Sequence, residues 1–460
     1  MYNILIYGIT DKYEYNELIK IFMRPETFKV FTVDEPVEKS NDEDILLEFN
    51  MEESADKNHI KREIYRELKQ ITGVTPPWGI MTGVRPVKIT RELFEKLDTR
   101  EAVIKVLKEF YLLDEEKAEL LIEIYEYQSK MLGSVPKDSI GVYIGIPFCP
   151  TRCLYCSFTS NQQGPEEIED YLGALIKEIE YAGSEARKKD YSIESIYIGG
   201  GTPTTLSAEQ LDRLIISVKT SFDLSKVKEF TVEAGRPDTI REEKLKVLSN
   251  HDIDRISINP QTMKDETLEL IGRSHSVDEI REAFLTASKE KRFLINADVI
   301  AGLPEETPED FENTLKEVIN LNPANITVHT LTVKRASKLV EIDEGYHYRQ
   351  AEKVEKMLKI AKRILKEKGY KPYYLYRLKH MAGALENVGY CKDDTPCLYN
   401  VRIMDENQSI LALGAGAMSK KYYPDENRHE RVANVSNYRV YIDRLDQMIE
   451  RKKKDFFEEV

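Results

Sequence analysis

Pro147-Phe148-Cys149-Pro150-Thr151-Arg152-Cys153-Leu154-Tyr155-Cys156 is the stretch on which the reading of this chain turns. It follows an apolar alternating run, Val142–Ile146, that reads as a β-strand. Three thiols share one short loop at C-x3-C-x2-C spacing, and no fourth cysteine lies in that loop. Three thiolates can bind three irons of a cubane and leave the fourth iron open, as a catalytic metal keeps one exchangeable position. Buried free thiols, or a zinc site borrowing a ligand from elsewhere, are the alternatives. Spacing alone separates these weakly; a strand-end loop with the aromatic Tyr155 beside the last cysteine favours the cluster.

Outward from this loop the pattern is regular. Further strands are expected at Ile193–Ile198, Glu229–Glu233, Arg255–Asn259, Leu294–Ile300 and Asn325–Thr330. Helix-period segments separate them, as at 165–188, where Ile168, Tyr171, Leu172, Leu175, Ile176 and Ile179 share one face. Six strand–helix units imply parallel pairing with right-handed crossovers, hence an α/β fold built as an incomplete (β/α)6 TIM-like barrel. Chemistry then belongs on the loops at the C-terminal ends of the strands.

Residues 1–135 are expected to form a small N-terminal α+β accessory domain, with strands at 3–7, 28–33 and 45–49 and helices near 57–71, 87–110 and 114–132. The partial barrel occupies 136–372. A C-terminal α/β module covers 373–460, with a helix at 346–368 leading into it. Strand-like pieces at 372–376, 399–404 and 409–413 and a helix near 436–453 make up that module. The Arg451-Lys-Lys-Lys run reads as solvated cations complementing a helix C-terminus.

Bulk properties narrow the function. The 460 residues exceed one ordinary core, and 41% hydrophobic content indicates a folded chain rather than a disordered one. A net charge of -14 argues against a broad nucleic-acid or anionic-membrane surface. No export signal and no run of about 18 apolar residues is visible, so a cytoplasmic location is expected without a membrane span. Five cysteines in a reducing compartment favour metal or catalytic roles over disulfides.

Polar residues gather at the expected strand exits. Gly199-Gly200-Gly201-Thr202 closes the second barrel strand, and its glycines would let backbone approach a ligand and present amides to it. Glu233 closes the third strand, Gln261 follows the fourth, Arg273 lies twelve residues beyond, and Asp298 is expected to end the fifth. Carboxylates suit ribose hydroxyls and an arginine suits a carboxylate; ordinary salt bridges and caps are the bland alternative. His329, at the sixth strand end, reads as a hydrogen-bonded structural histidine.

These residues carry a resemblance. The chain resembles the oxygen-independent coproporphyrinogen III oxidase family of radical S-adenosylmethionine (SAM) proteins, and within it the HemZ-type branch, over about residues 140–420. The match includes Tyr143 through Cys156, Gly199–Pro203, Arg255–Gln261, Arg273, Asp298–Pro304, Tyr390, Tyr399-Asn400 and Gly414–Ala417. The segment Trp78–Pro86 resembles the distinctive N-terminal part of that branch. The resemblance implies a 4Fe–4S cluster on Cys149, Cys153 and Cys156. It implies SAM contacts from Tyr143, Tyr155, Gly200, Gly201, Thr202, Glu233, Gln261, Arg273 and Asp298.

The implied reaction is oxidative decarboxylation of propionates of a tetrapyrrole substrate, coproporphyrinogen III, to vinyl groups in porphyrin and haem biosynthesis. The radical comes from cluster and SAM, so no side-chain catalyst is expected. A flavodoxin- or ferredoxin-type electron donor is the implied partner. Phe158 stands where the oxidases carry a further cysteine, as in the branch related to haem chaperones. The His-Asn-x-x-Tyr-Trp motif of that chaperone branch is absent, with Cys397-Leu-Tyr-Asn near its place. A haem-binding or haem-transfer protein, and a radical enzyme opening haem, are the other functions kept open.

Three features stay apart from this reading. Cys391 and Cys397, at C-x5-C, fit no standard metal spacing and read as free thiols. Arg85 either binds a substrate carboxylate or braces the helix that follows. Tyr374-Leu-Tyr376-Arg377 either lines a tetrapyrrole pocket or packs within a sheet.

Overall fold

The computed structural model describes residues 1–9, 11–32, 45–50, 56–156, 161–332, 339, 346, 350–378 and 381–458. Phe158 lies outside them. Alternating apolar residues in the first fifty positions build three strands, β1 (Tyr2–Tyr7), β2 (Phe28–Thr32) and β3 (Ile45–Asn50). They pair in parallel in the order β2-β1-β3. Helix Lys57–Thr72 places Ile60, Ile64, Tyr65 and Leu68 in one core with Ile4, Ile6, Leu18 and Phe28. Asp56 caps that helix by accepting from the Asn58 amide, and Gly73 ends it at φ +72°.

The long helix expected at 87–110 is two helices, Pro86–Phe94 and Arg100–Glu109. Thr99, extended and accepting from the Ala102 amide, caps the second and so breaks the run. Together with helix Glu115–Leu132, these helices put Val87, Val103, Leu107 and Leu121 into the barrel's core.

That barrel holds six parallel strands: β4 (Ser139–Ile146), β5 (Ser192–Gly200), β6 (Glu229–Glu233), β7 (Arg255–Ser257), β8 (Leu294–Ala301) and β9 (Asn325–Thr330). Each lies within a few residues of its expected position. The C-terminal strands β10 (Lys371–Tyr376), β11 (Asn387–Cys391), β12 (Ser409–Leu413), β13 (Met418–Tyr423) and β14 (Arg428–Ala433) extend the same sheet on both sides. The order is β10-β11-β9-β8-β7-β6-β5-β4-β12-β13-β14, an open array of the incomplete-barrel class.

The strand expected at 399–404 is instead helix Leu398–Asp405. Its first amides need acceptors, and the buried Glu229 carboxylate accepts from the Leu398 amide at 3.0 Å and the Tyr399 amide at 3.5 Å. Glu229 in turn pairs with Arg255, which is 1% exposed and also donates to Asn296, Asn325 and the carbonyls of Thr395 and Pro396. This network seats the 395–399 loop on the barrel.

One residue of the C-terminal basic run, Lys452, differs from its expected place in solvent, while Arg451, Lys453 and Lys454 are exposed. Helix Leu445–Lys452 buries Lys452 completely, 2.7 Å from an equally buried Glu178. Glu178 accepts from Tyr441 Oη at 2.6 Å, the Gly414 amide at 2.7 Å and Asn434 Nδ2 at 2.9 Å. The Gly414 turn packs on the exit of β4, where Tyr171 Oη donates to the Gly145 carbonyl and accepts from the Ala415 amide. A Cβ on Gly414 (φ +97°) would sit 2.6 Å from the Gly145 carbonyl oxygen, so glycine is required there. Charge spacing alone could not distinguish this buried lysine from its solvated neighbours.

Candidate cluster and cofactor site

The three cysteines lie on the loop leaving β4, at the C-terminal rim of the sheet. Backbone bonds shape the loop: the Cys149 amide donates to Asn161, the Leu154 amide to Ile271, and the Cys156 amide to Cys153. Cys153 is buried, and Cys149 and Cys156 are half-buried. Burial, with Cys156 and Cys153 nearby, pushes the Cys149 thiol up to about 11, against the Thr202 hydroxyl 3.5 Å away. Binding a metal there releases thiol protons.

Among the described residues, no three His, Cys, Asp or Glu side chains converge on a single ion. A cubane takes each thiolate on a different iron and needs a wider set. Two features of the rim fit such a group with an organic cofactor beside it. A Cβ on Gly201 would lie 2.9 Å from Cys149 Sγ and 2.4 Å from the Phe148 carbonyl oxygen, so the bare glycine leaves room against the first cysteine. Arg273 Nε and Asn259 Oδ1 are buried without a partner at the neighbouring strand exits.

The Gly199–Thr202 turn does lie beside the cysteine loop, with its amides already engaged. Gly201 donates to the Ile146 carbonyl and Thr202 to the Phe148 carbonyl, each at 2.7 Å. Close approach, rather than free amides, is what the glycines provide. Glu233 stands next along the rim. Burial foremost, then Asp298, pushes its carboxyl up to about 8, against hydrogen bonds from Tyr197 and the Gly200 amide.

The Gln261 amide donates to the Asp298 carbonyl at 2.9 Å, and the Gln261 carbonyl accepts from Ile300 at 3.0 Å. Gln261 takes φ +69° to make this bridge. Arg273 donates to the Asn259 carbonyl at 2.7 Å and to Tyr155 Oη at 3.3 Å. Tyr155 packs with Ile271, Ile300, Leu303, Leu331 and Leu339. Tyr143 stacks with Tyr197 at 6.2 Å and Tyr399 at 6.1 Å, and those two rings lie 4.7 Å apart. The nine positions therefore lie on β4, β5, β6 and β8 or on the segments that follow β4, β5 and β7.

The remaining candidates resolve as follows. His329 has the structural partners expected of it, Tyr376 Oη at 3.0 Å and Asp298 Oδ2 at 3.3 Å. Arg85 braces Glu406 at 3.0 Å. Tyr373 and Tyr374 are buried sheet residues, while Arg377 stacks on Trp78 and donates to the carbonyls of Met81 and Ala384. Trp78 Nε1 and Lys117 both bind the Glu386 carboxylate, at 2.8 and 2.6 Å. Cys391 and Cys397 are buried thiols, beside Tyr127 Oη at 3.2 Å and Glu229 at 3.3 Å.

Sequence reasoning gave no site role to Asn259, Tyr197, Tyr399 or Arg236, all at or near this rim. Position past a strand end was the available signal for Asn259 and Arg236. Tyr399 belongs to a motif of the resemblance but was given no site role, and it arrives from a helix read as a strand.

Residues 143–318 match the model of the radical SAM superfamily, whose members use a 4Fe–4S cluster and SAM. The Bacillus subtilis oxygen-independent coproporphyrinogen-III oxidase-like protein HemZ is 41% identical over 406 residues, 86% of this chain and 80% of that one. The heme chaperone HemW of the same organism is 36% identical over 196 residues, 42% of this chain and 50% of its own length. The solved coproporphyrinogen III oxidase HemN of Escherichia coli shares the fold at a TM-score of 0.54 and 21% identity, over 71% of this chain and 73% of that one. The chain belongs to the radical SAM superfamily, in the family of oxygen-independent coproporphyrinogen-III oxidase-like proteins.

Proposed function

We propose that Cys149, Cys153 and Cys156 hold a 4Fe–4S cluster with one open iron, and that the β4–β8 rim holds SAM against it. One observation carries this reading: the cysteine loop lies directly on a glycine turn, with Glu233 at the end of β6, Gln261 just past β7, Asp298 within β8 and Arg273 bonded to the Asn259 carbonyl. When bound, cluster and SAM supply a one-electron cleavage of the sulfonium, giving a carbon radical able to take hydrogen from a substrate carbon. The chain binds, orients and excludes water. Glu233 and Asp298 would accept from ribose hydroxyls, and Arg273, whose Nε is buried without a partner, would donate to an anionic group. Tyr143, packed against the stacked pair Tyr197 and Tyr399, closes the β4 side with an aromatic wall.

The substrate proposed is coproporphyrinogen III, two of whose propionates would lose carbon dioxide and a hydrogen to become vinyl groups, with electrons supplied and accepted by cellular carriers. The likeness to an oxidase-like relative over most of the chain supports it. The heme chaperone relatives favour a second reading, haem binding and transfer. The test is anaerobic incubation of reconstituted, reduced protein with SAM and either coproporphyrinogen III or haem, followed by mass spectrometry. Doubly decarboxylated product with deoxyadenosine supports the oxidase; stoichiometric haem binding with intact coproporphyrinogen supports the second reading and overturns the first.

A further inference from the structure

We propose that Arg236, from the turn after β6, is a positioning residue that hydrogen-bonds the Cys153 sulfur, fixes the cysteine loop and raises the reduction potential of the cluster. The proposal rests on the cluster assignment above and goes beyond it. Arg236 is 4% exposed. A guanidinium has five N–H donors in a rigid fork, and here five contacts take them. Nε and Nη2 grip Asp238 in two bonds of 3.0 and 2.9 Å, and Nη2 also reaches Ser274 Oγ at 2.9 Å. Nη1 donates to Thr151 Oγ1 at 2.9 Å and to Cys153 Sγ at 3.7 Å. Two of the five contacts therefore land inside the cysteine loop, and one of those is on a candidate iron ligand.

The support behind the guanidinium is also built. Asp238 accepts from Ser274 Oγ at 2.8 Å and faces the buried His275, whose Nδ1 is 3.6 Å away. The loop is held from the other side by Ile271 and Gly272, whose carbonyls accept from the Leu154 amide and Thr151 Oγ1. Gly272, at φ +75°, comes close to the Arg152 carbonyl and the Cys153 backbone. Asp238 fixes the fork, and the fork fixes the loop.

The electrostatic consequence follows from charge. Reducing a cluster adds one negative charge. A desolvated cation donating to a thiolate stabilises that added charge more than the oxidised state, which raises the potential. Lysine would keep the charge and lose the fork; glutamine would lose both.

The test is an EPR-monitored redox titration of anaerobically reconstituted wild type, Arg236→Gln and Arg236→Lys, with iron and sulfide measured on each sample. In Arg236→Gln the loaded fraction should need about tenfold more reducing conditions, a one-electron midpoint about 59 mV more negative. Arg236→Lys should lie between glutamine and wild type. A merely structural arginine would lower iron content and leave the potential of the loaded fraction unchanged. Equal midpoints in loaded wild type and either variant would overturn the proposal while leaving the cluster intact. Wild type without a cubane signal would instead overturn the cluster assignment, and this inference with it.

Discussion

Replacing Lys452 with methionine removes one partner of an ion pair whose side chains are both fully buried and 2.7 Å apart. Breaking such a pair from one side costs about 3–5 kcal/mol, because a buried charge is left uncompensated. Glu178 would keep three donors, from Tyr441, Gly414 and Asn434, which places the loss toward the lower end of that range. At a urea slope of about 3 kcal/mol/M the unfolding midpoint of the apoprotein should fall by about 1 M. The pH dependence has a definite sign. Burial alone would raise the Glu178 carboxyl, and Lys452, Tyr441 and Asn434 outweigh it, so its pKa lies below the usual range. Its contribution is therefore present above the unfolded carboxylate pKa and is lost as pH falls through the folded value. In Lys452→Met the Glu178 carboxyl loses its main lowering partner and its pKa rises, so the deficit against wild type should shrink as pH falls. The double variant Glu178→Gln/Lys452→Met removes both charges and should recover most of the midpoint. A single Lys452→Met variant within about 0.5 kcal/mol of wild type would refute the reasoning.

Four other outcomes follow from the site and its supports. Gly201→Ala should retain the far-UV circular dichroism of wild type and load less iron, since its Cβ would collide with the Phe148 carbonyl and Cys149 Sγ; full loading would contradict the packing. Glu233, pushed up to about 8, binds a proton in the folded protein that the unfolded chain releases earlier, so stability should decline as pH rises from about 5 toward 8. Urea midpoints of Glu233→Gln should show a flatter profile across that window. Arg255→Met strips the buried Glu229 of its cation and should cost about 3–5 kcal/mol, with faster proteolysis at the 395–399 loop. Cys391→Ser and Cys397→Ser should leave iron content unchanged, measured by metal analysis, because both thiols are buried away from the cysteine loop.

Periodicity made the barrel readable. Each of its six strands follows a helix with one apolar face, and that alternation locates both the strands and the rim where Cys149, Glu233 and Asp298 stand. Long-range contacts decided what periodicity could not. Residues 399–404 alternate like a strand, yet Glu229, some 170 residues earlier, accepts their first amides and caps a helix. Lys452 looks like its exposed neighbours until Glu178 is placed beside it. The strands β11, β13 and β14 were not expected; β13 and β14 carry half-buried charged residues that blur the alternation. At the site, the cysteine spacing and strand ends pointed to loops that the fold brings together on one side of the sheet. The hydrogen bond from Arg236 to Cys153 has no signature in either segment alone.

The most direct test of the central claim is the EPR spectrum of the reduced, anaerobically reconstituted protein, recorded before and after adding SAM. The account predicts a 4Fe–4S signal that changes on SAM addition, and that is absent when Cys149, Cys153 or Cys156 is replaced by alanine. A cubane signal indifferent to SAM, or stoichiometric zinc in place of iron, would contradict it.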